Sequence, residues 1–315
     1  RPFIYIIGNC KMKENKQYRA ETVAAFHSLW GLPKPEHPLI SVVDFSTAKP
    51  SKIPESVIFG CYYIAIKRRI DFKFVYGQQE YDFDEGVMLF VAPNQMVRIR
   101  QDQVITEQPS GWGLLIHPDF FWNTPLAKSI KRYDYFHYAA NEALFLSEKE
   151  EVKIEQIVQN IEQEYHSNID QFTQDIIISQ IETLLNYAER FYQRQFITRK
   201  VSNHRIIERL ENFLVAYFND EHLVDRGLPT VQNVADELNI SPGYLSGVLK
   251  TLTGQSTQQH IQNRIIEKAK ERLSTTELSV SEIAYELGFE HSQSFNKLFK
   301  SKTKISPLTF INSFK

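Results

Sequence analysis

Residues 281–300 read SEIAYELGFEHSQSFNKLFK and contain two short amphipathic patterns separated by a glycine. Ile283 and Leu287 lie four residues apart in the first pattern, and Phe295 and Phe299 do so in the second. This spacing places the apolar side chains of each pattern on one face of a helix. The stretch therefore predicts two short helices joined by a tight turn, which is a helix-turn-helix unit.

A second copy of this unit lies about fifty residues upstream, where residues 231–254 repeat the pattern of residues 280–303. The matching pairs are Val231, Val234, Ala235, Glu237 and Leu238 with Val280, Ile283, Ala284, Glu286 and Leu287, then Leu245, Val248, Leu249 and Lys250 with Phe295, Leu298, Phe299 and Lys300. The offset changes from 49 to 50 between the two sets. One residue has therefore been added in the turn and none within a helix.

Both copies carry the local signals that begin and end a helix. Thr230 and Ser279 occupy the N-cap positions, and Ser279 is followed three residues later by Glu282, as in a capping box. Gly288 follows the first helix of the second copy, and Asn239 takes the equivalent place in the first. Both residue types tolerate the positive φ that such a turn needs.

The second helix of each copy is predicted to turn polar and small residues outward. These are Gly243, Tyr244, Ser246, Gly247 and Lys250 in the first copy, and Ser292, Gln293, Asn296 and Lys297 in the second. Amides, hydroxyls and cations are the groups that contact base edges and phosphates. One such face alone is compatible with an ordinary solvated helix. A third helix, predicted within residues 256–275 and roughly 25 Å long, joins the two copies and favours DNA as the partner.

Residues 205–315 resemble the DNA-binding domain of the AraC/XylS family of bacterial transcription regulators. The resemblance is carried by the segments ADELNISPGYLS, TGQS, RIIEKAKERL, SVSEIAYELGFEHSQSFNKLFK and KISPLTF. It implies seven helices in which a long helix bridges two helix-turn-helix units. It also implies base reading by Gly243, Ser246 and Gly247 in the first unit.

The same resemblance implies base reading by four residues of the second unit and phosphate contacts by one lysine of each unit. The four are Ser292, Gln293, Asn296 and Lys297, and the lysines are Lys250 and Lys300. The two glycines are a departure, because family members often carry large side chains at these positions. Either Tyr244 and Ser246 carry the specificity of the first unit, or that unit mainly grips the backbone.

The N-terminal half predicts strands between residues 39 and 116, among them one across 57–68 and one at 71–77. Two helices are predicted between residues 148 and 198, and the polar, basic segment 197–205 is predicted to be a linker. The N-terminal half resembles, less specifically, the cupin-like sensor domain of the same family. The predicted fold class is thus α+β with two domains, a barrel plus dimerisation helices at 1–198 and a DNA-binding domain at 199–315. The candidates to line a ligand site in the barrel, which are equally compatible with plain core, are Tyr62, Tyr63, Phe90 and Trp112. The predicted dimerisation residues are Ile177, Ile181, Leu184, Leu185 and Ala188.

The charge distribution and the cysteine and histidine content favour some classes of function over others. The net charge is −2, but residues 291–315 hold five lysines and no acidic residue, which suits one positive face. The only two cysteines, Cys10 and Cys61, form no CxxC pair for a metal. The resemblance to cupins implies that an enzyme of this kind would hold a metal with a His-x-His motif, which is absent, so neither metal-dependent catalysis nor a cofactor is expected. His117, just before a proline, is predicted to be structural. We therefore expect a cytoplasmic regulator, not an enzyme, that binds double-stranded promoter DNA.

The further predicted partners are a second copy of the chain, RNA polymerase and a small-molecule effector. No contact with a membrane is expected. Two alternatives stay open at this point. One is a cupin-type enzyme with a DNA-binding appendage, which needs clustered histidines and carboxylates in residues 40–140. The other is an architectural DNA-binding protein that responds to no ligand.

Overall fold

The computed structural model combines an N-terminal part built around sheets with a helical C-terminal part. It divides into two compact units, Arg1–Gln195 and Phe196–Lys315. The residues that the structure describes are 3–5, 17–50, 54, 56–68, 74–76, 79–81, 86–100, 110–139, 142–167, 170–220 and 222–313. Cys10 and part of the strand predicted at 71–77 lie outside these ranges.

The strands of the N-terminal unit form two larger sheets and one hairpin. The strands are β1 (Phe3–Tyr5), β2 (Gln17–Ala20), β3 (Ile40–Asp44), β4 (Ser56–Phe59), β5 (Tyr62–Arg68), β6 (Phe74–Tyr76), β7 (Gln79–Tyr81), β8 (Val87–Val91), β9 (Met96–Arg100), β10 (Ser110–Ile116) and β11 (Leu144–Phe145). One sheet has the order β1-β9-β4-β2, the other β11-β8-β5-β10-β3, and β6 pairs with β7. Only the β2–β4 pairing is parallel among these pairs of described strands.

Four α-helices are described up to the boundary of this unit, and the last three residues of α4 lie beyond that boundary. The four helices are α1 (Val23–Trp30), α2 (Leu126–Ser129), α3 (Glu148–His166) and α4 (Thr173–Thr198). A core cluster draws on α1 and on strands of both larger sheets, with Phe26, Phe59 and Tyr63 among its members. Strand alternation explains this, because every second side chain of β5 points toward the same face of its sheet.

The prediction of one strand across residues 57–68 is wrong. The chain makes two strands there, and β4 and β5 belong to different sheets. The break falls at Gly60, whose N–H donates to the carbonyl of Ala20 at 2.8 Å. A Cβ at this position would lie 2.3 Å from the carbonyl oxygen of Glu21, so the close approach requires glycine. Apolar residues continue on both sides of Gly60, so the sequence pattern does not show that the strand ends there.

The dimerisation residues predicted on α4 are corrected by the structure. The five side chains are almost fully buried within a single chain, with exposures of 0 to 1%; they are Ile177, Ile181, Leu184, Leu185 and Ala188. The backbone carbonyl of Leu185 also accepts a hydrogen bond from the Tyr135 hydroxyl at 2.8 Å, which ties this stripe to its own domain. A surface that is already buried cannot be covered by a second copy.

The C-terminal unit consists of helices joined by short loops, with no strand among its described residues. Its helices are α5 (Lys200–Phe218), α6 (Leu223–Arg226), α7 (Val231–Leu238), α8 (Pro242–Thr253), α9 (Thr257–Thr275), α10 (Val280–Glu286), α11 (Ser292–Thr303) and α12 (Pro307–Asn312). Counting the single turn of α6, there are eight segments in this described part, against the seven that the resemblance implies. The segment 197–205, predicted as a linker, is helical except at Arg199, which separates α4 from α5.

Both predicted helix-turn-helix units are confirmed as α7–α8 and α10–α11. Thr230 and Ser279 are the N-caps, and each forms a capping box with the residue three positions later. Asn239 has φ 56° and Gly288 has φ 86°, so the two turns use the left-handed region at equivalent positions. The local signals therefore specify both units correctly.

The turn of the second helix-turn-helix unit lies against the backbone that precedes the first helix-turn-helix unit. A Cβ on Gly288 would lie 3.0 Å from the carbonyl carbon and 3.2 Å from the Cα of Gly227. The Tyr217 hydroxyl donates to the carbonyl of Gly227 at 3.1 Å and holds that segment in place. Two glycines in contact thus let the second turn approach the segment that leads into α7.

Gly288→Ala should lower the free energy of unfolding by roughly 2–4 kcal/mol, because it adds strain at positive φ and a contact with Gly227. Gly254→Ala is the matched control, since φ is 73° there but nothing lies within 4 Å of an added Cβ. It should cost roughly 1 kcal/mol. Equal losses for both variants would contradict the packing of Gly288.

Urea unfolding followed by circular dichroism at 222 nm reports the helices in this experiment. The three tryptophans are Trp30, Trp112 and Trp122, all in the N-terminal unit. Tryptophan fluorescence therefore follows the N-terminal unit separately, and it should be unchanged in both variants.

Candidate nucleic-acid interface

Helix α9 is the element that positions both candidate reading helices. Its stripe of Ile261, Ile265, Ala269 and Leu273 is buried, as the helical spacing predicts. The helix packs against α8 of the first helix-turn-helix unit and against α10 and α11 of the second. Its 19 residues make it roughly 28 Å long.

Polar contacts tie each reading helix to α9. Ser246 of α8 shares a hydrogen bond with the buried Thr257 hydroxyl at 3.1 Å. Lys302 of α11 donates to the Asn263 side chain at 3.1 Å, and Asn263 in turn donates to Gln255 at 2.9 Å. Sequence reasoning missed these ties, although Thr257 gives a signal as a polar residue directly after the α9 N-cap.

Two arginines hold the first helix of each unit at its C-terminal end. Arg209 of α5 donates to the Leu238 carbonyl at 3.0 Å, where α7 ends. Arg272 of α9 forms a two-pronged ion pair with Glu286 of α10, and its Nε lies 3.1 Å from one carboxylate oxygen. Such planar pairing fixes direction as well as distance. Both contacts orient the helix that supports a reading helix.

The outward face predicted for α8 is only partly correct. Tyr244 is 3% exposed, and its ring packs edge-on against Phe196 with the centroids 5.1 Å apart. It belongs to the core because Phe196 extends that core beyond the stripe of Leu245 and Leu249. Gly243, Ser246 and Gly247 are partly exposed, and Lys250 is exposed. The face therefore offers two glycines, a hydroxyl engaged with α9 and one cation.

The outward face predicted for α11 agrees with the structure. Gln293, Asn296, Lys297 and Lys300 are exposed, and Ser292 is partly exposed. These positions follow the i, i+3, i+4, i+7 spacing of a single helix face. Within the described part of the chain, no hydrogen bond or ion pair occupies the four exposed side chains. Phe295 and Phe299 are fully buried and anchor the opposite face.

The four residues predicted to line one ligand site do not lie together. On β5, Tyr62 packs against Phe121 and Phe136, on the opposite side of the sheet from Tyr63. Phe90 is paired with Ile64 and Trp112 with Ile66, which places both on the face of Tyr62. Only Tyr63 points into the core that the two sheets share. Adjacent strand residues alternate in direction, so Tyr62 and Tyr63 cannot share a site.

Two polar atoms in that shared core lack partners. The hydroxyl of Tyr63 and the indole Nε1 of Trp30 are buried and accept or donate no hydrogen bond among the described residues. Burial raises the pKa of Tyr63 far above its usual range. The phenol is therefore neutral and able to donate.

Neither a metal site nor a membrane helix is found where the structure describes the chain. These ranges contain no group of three or more His, Cys, Asp and Glu that could hold a metal ion. His117 is structural, as predicted, since its Nδ1 accepts from the backbone N–H of Asp119 at 3.3 Å. None of the described helices combines the length and the apolar content that crossing a membrane requires.

Comparison with known proteins points to the C-terminal region. A family model described as a helix-turn-helix domain matches residues 234–313. The uncharacterized HTH-type transcriptional regulator YfiF of Bacillus subtilis is 32% identical over 142 residues, 44% of this chain and 41% of that protein. The HTH-type transcriptional activator RhaS of Escherichia coli is 32% identical over 120 residues, 37% of this chain and 42% of that protein.

A solved structure is similar to about a third of the chain. It is the C-terminal domain of the two-component response regulator yesN from Fusobacterium nucleatum, with 32% identity. The match covers 33% of this chain and 95% of that chain, with a TM-score of 0.29. The chain spans about two fifths of the length of the curated relatives that it matches.

Ser279→Ala should destabilise the second unit by about 1 kcal/mol, because it removes the N-cap of α10. Two hydrogen bonds hold the pKa of Glu282 below its usual value. The larger effect comes from the Ser279 hydroxyl and the smaller one from the Ser279 backbone N–H. A lowered folded pKa contributes stability above the usual carboxyl pKa, and that stability is lost as the pH falls through the folded pKa. The variant should therefore raise the pKa of Glu282 and lose less stability in acid.

Carboxyl NMR titration and urea unfolding at several pH values measure both effects. Ser294→Ala is the control, since Ser294 is an exposed serine within α11 rather than a cap. An unchanged Glu282 pKa in Ser279→Ala would contradict the capping box.

Proposed function

We propose that this chain, whose residues 234–313 form an AraC-type helix-turn-helix domain, is a sequence-specific DNA-binding transcription regulator that activates its promoters. The observation that carries the proposal is the pair of helix-turn-helix units mounted on one long helix, α9. A duplex presents successive major grooves on one face about 34 Å apart. A helix of roughly 28 Å between two reading helices suits that repeat.

Phosphate contacts would supply most of the affinity, and side chains on the reading helices the choice of sequence. In the first unit the proposed contacts come from Gly243, Ser246, Gly247 and Lys250. In the second they come from Ser292, Gln293, Asn296, Lys297 and Lys300. Tyr244 is not among them, because its side chain is buried.

Control by a small molecule is part of the proposal. We infer that the N-terminal sheets form the cupin-like sensor that the family resemblance implies. The unpartnered Tyr63 hydroxyl and Trp30 Nε1 support this, because a buried polar group without a partner costs free energy that a ligand would recover. The regulator would act in the cytoplasm, by binding rather than by catalysis, and would activate through RNA polymerase.

We also propose that the chain forms a homodimer, by a surface other than the buried stripe of α4. Three large apolar side chains of the N-terminal unit are exposed, Trp122 by 73%, Phe172 by 57% and Ile176 by 41%. Gln174 donates to the Phe120 carbonyl at 2.7 Å and brings the start of α4 to the segment before Trp122. Exposed apolar side chains grouped in this way are typical of protein interfaces.

Lys297→Ala should weaken binding to a selected DNA site by about 1–3 kcal/mol, because it removes a cation from the exposed face of α11. Fluorescence anisotropy with a labelled duplex at about 150 mM salt measures this. Lys149 is an exposed lysine on α3 of the N-terminal unit. Lys149→Ala removes the same charge and should leave the affinity unchanged. Equal losses of affinity in both variants would mean that only the net charge matters, which would contradict a contact at Lys297. Wild-type affinity of Lys297→Ala would also contradict the proposed interface.

Ile176→Asp should shift the chain from dimer to monomer, because it places a charge in the proposed contact. Light scattering after size-exclusion chromatography measures the mass. Gln193→Asp is the control, since Gln193 is exposed on the same helix nearly five turns away and on another face. A dimer that persists in Ile176→Asp would contradict the proposed surface, and a monomeric parent protein would contradict dimerisation.

A further inference from the structure

We propose that the two helix-turn-helix units divide their work, so that α11 reads base sequence and α8 mainly holds the DNA backbone. The proposal rests on the DNA-binding function proposed above and adds which unit specifies the site. It also names the bases that the second unit prefers, adenine and guanine presented in the major groove.

Helix α8 lacks side chains that can discriminate bases. Discrimination needs hydrogen-bonding groups that reach the base edges in the groove. Gly243 and Gly247 have no side chain, and the Ser246 hydroxyl is already bonded to Thr257. The buried ring of Tyr244 is directed to Phe196. The exposed cation Lys250 remains, but it lies in the last turn of α8, at the position that matches Lys300 of α11. There it suits a phosphate as a point charge.

The smallness of the α8 face has a positive consequence. Without side chains at 243 and 247, the helix backbone can approach the DNA more closely than a helix with large residues there. Close approach strengthens contacts to sugar and phosphate, which position a protein but carry no sequence information directly. The first unit is therefore suited to hold the register of the second.

Helix α11 has the opposite character. Gln293, Asn296 and Lys297 lie in its first two turns, the part of a recognition helix that contacts base edges. All three are exposed. An amide donates and accepts at once, which matches the N7 acceptor and the N6 donor of adenine. A lysine donates to the O6 and N7 acceptors of guanine.

Lys300 lies one helical turn beyond Lys297 on the same face and suits a phosphate at the groove edge. Lys302 is set apart from both, because it is bonded to Asn263 of α9. The second unit thus combines three base-reading side chains with a flanking cation. We expect its segment of the site to contain adenine opposite the amides and guanine opposite Lys297.

Selection from a random duplex library with the purified full chain at about 150 mM salt tests the division. The parent should enrich one strongly defined segment and, about ten base pairs away, one weakly defined segment. The double variant Gln293→Ala, Asn296→Ala should lose the adenine preference in the strong segment, by roughly 5- to 150-fold for each base. Its affinity for unrelated DNA should be unchanged.

Lys250→Ala is the contrasting variant in the first unit. It should weaken binding to all sequences alike, leave the enriched sequence as it is and reduce the salt slope of log K by about 1. Gly247→Asn should create a new base preference in the weak segment, since it adds an amide to α8. Circular dichroism of every variant confirms that the helices remain folded.

Three outcomes would overturn the division. They are an unchanged enriched sequence for the double variant, two equally defined segments for the parent, and a changed enriched sequence for Lys250→Ala. A parent that enriches no sequence would contradict the proposed regulator function itself, and the division with it.

Discussion

The buried stripe of α9 is the constraint on which the helical C-terminal unit depends. Burial of a large aliphatic side chain such as Ile261, Ile265 or Leu273 is worth about 1.5–3 kcal/mol, so the stripe holds its neighbours firmly. The hydrogen bond between the Ser246 and Thr257 hydroxyls and the one from Lys302 to Asn263 set where each reading helix lies along α9. Any change in the angle of α9 would change the presentation of α8 and α11 together.

The sequence predicts the C-terminal unit well because its signals are local. Caps, glycine turns and helical periodicity act within a few residues, and Thr230, Ser279 and Gly288 do in the structure what these rules require. Tyr244 is the exception. It lies beside the apolar stripe of α8, and its direction depends on Phe196, nearly fifty residues earlier, which no local pattern reveals.

The N-terminal unit is harder to predict because its strands are assigned to sheets by long-range pairing. Period-2 apolar patterns locate β3, β8 and β9 but do not show that Gly60 ends one sheet and begins the passage to another. They also cannot tell which face of β5 meets the shared core, and this separates Tyr63 from the other three predicted ligand residues. The prediction that the α4 stripe contacts a partner chain is wrong for a related reason. Periodicity shows that a face is buried and not what buries it.

A cleavage-protection footprint of the full chain on a selected duplex tests the central claim most directly, which is that both units contact one face of the DNA at the same time. The geometry of α9 predicts, for each bound chain, two protected major-groove segments separated by about one helical turn, roughly 34 Å. A single protected segment for each bound chain, or protection that spreads evenly along the duplex, would contradict it.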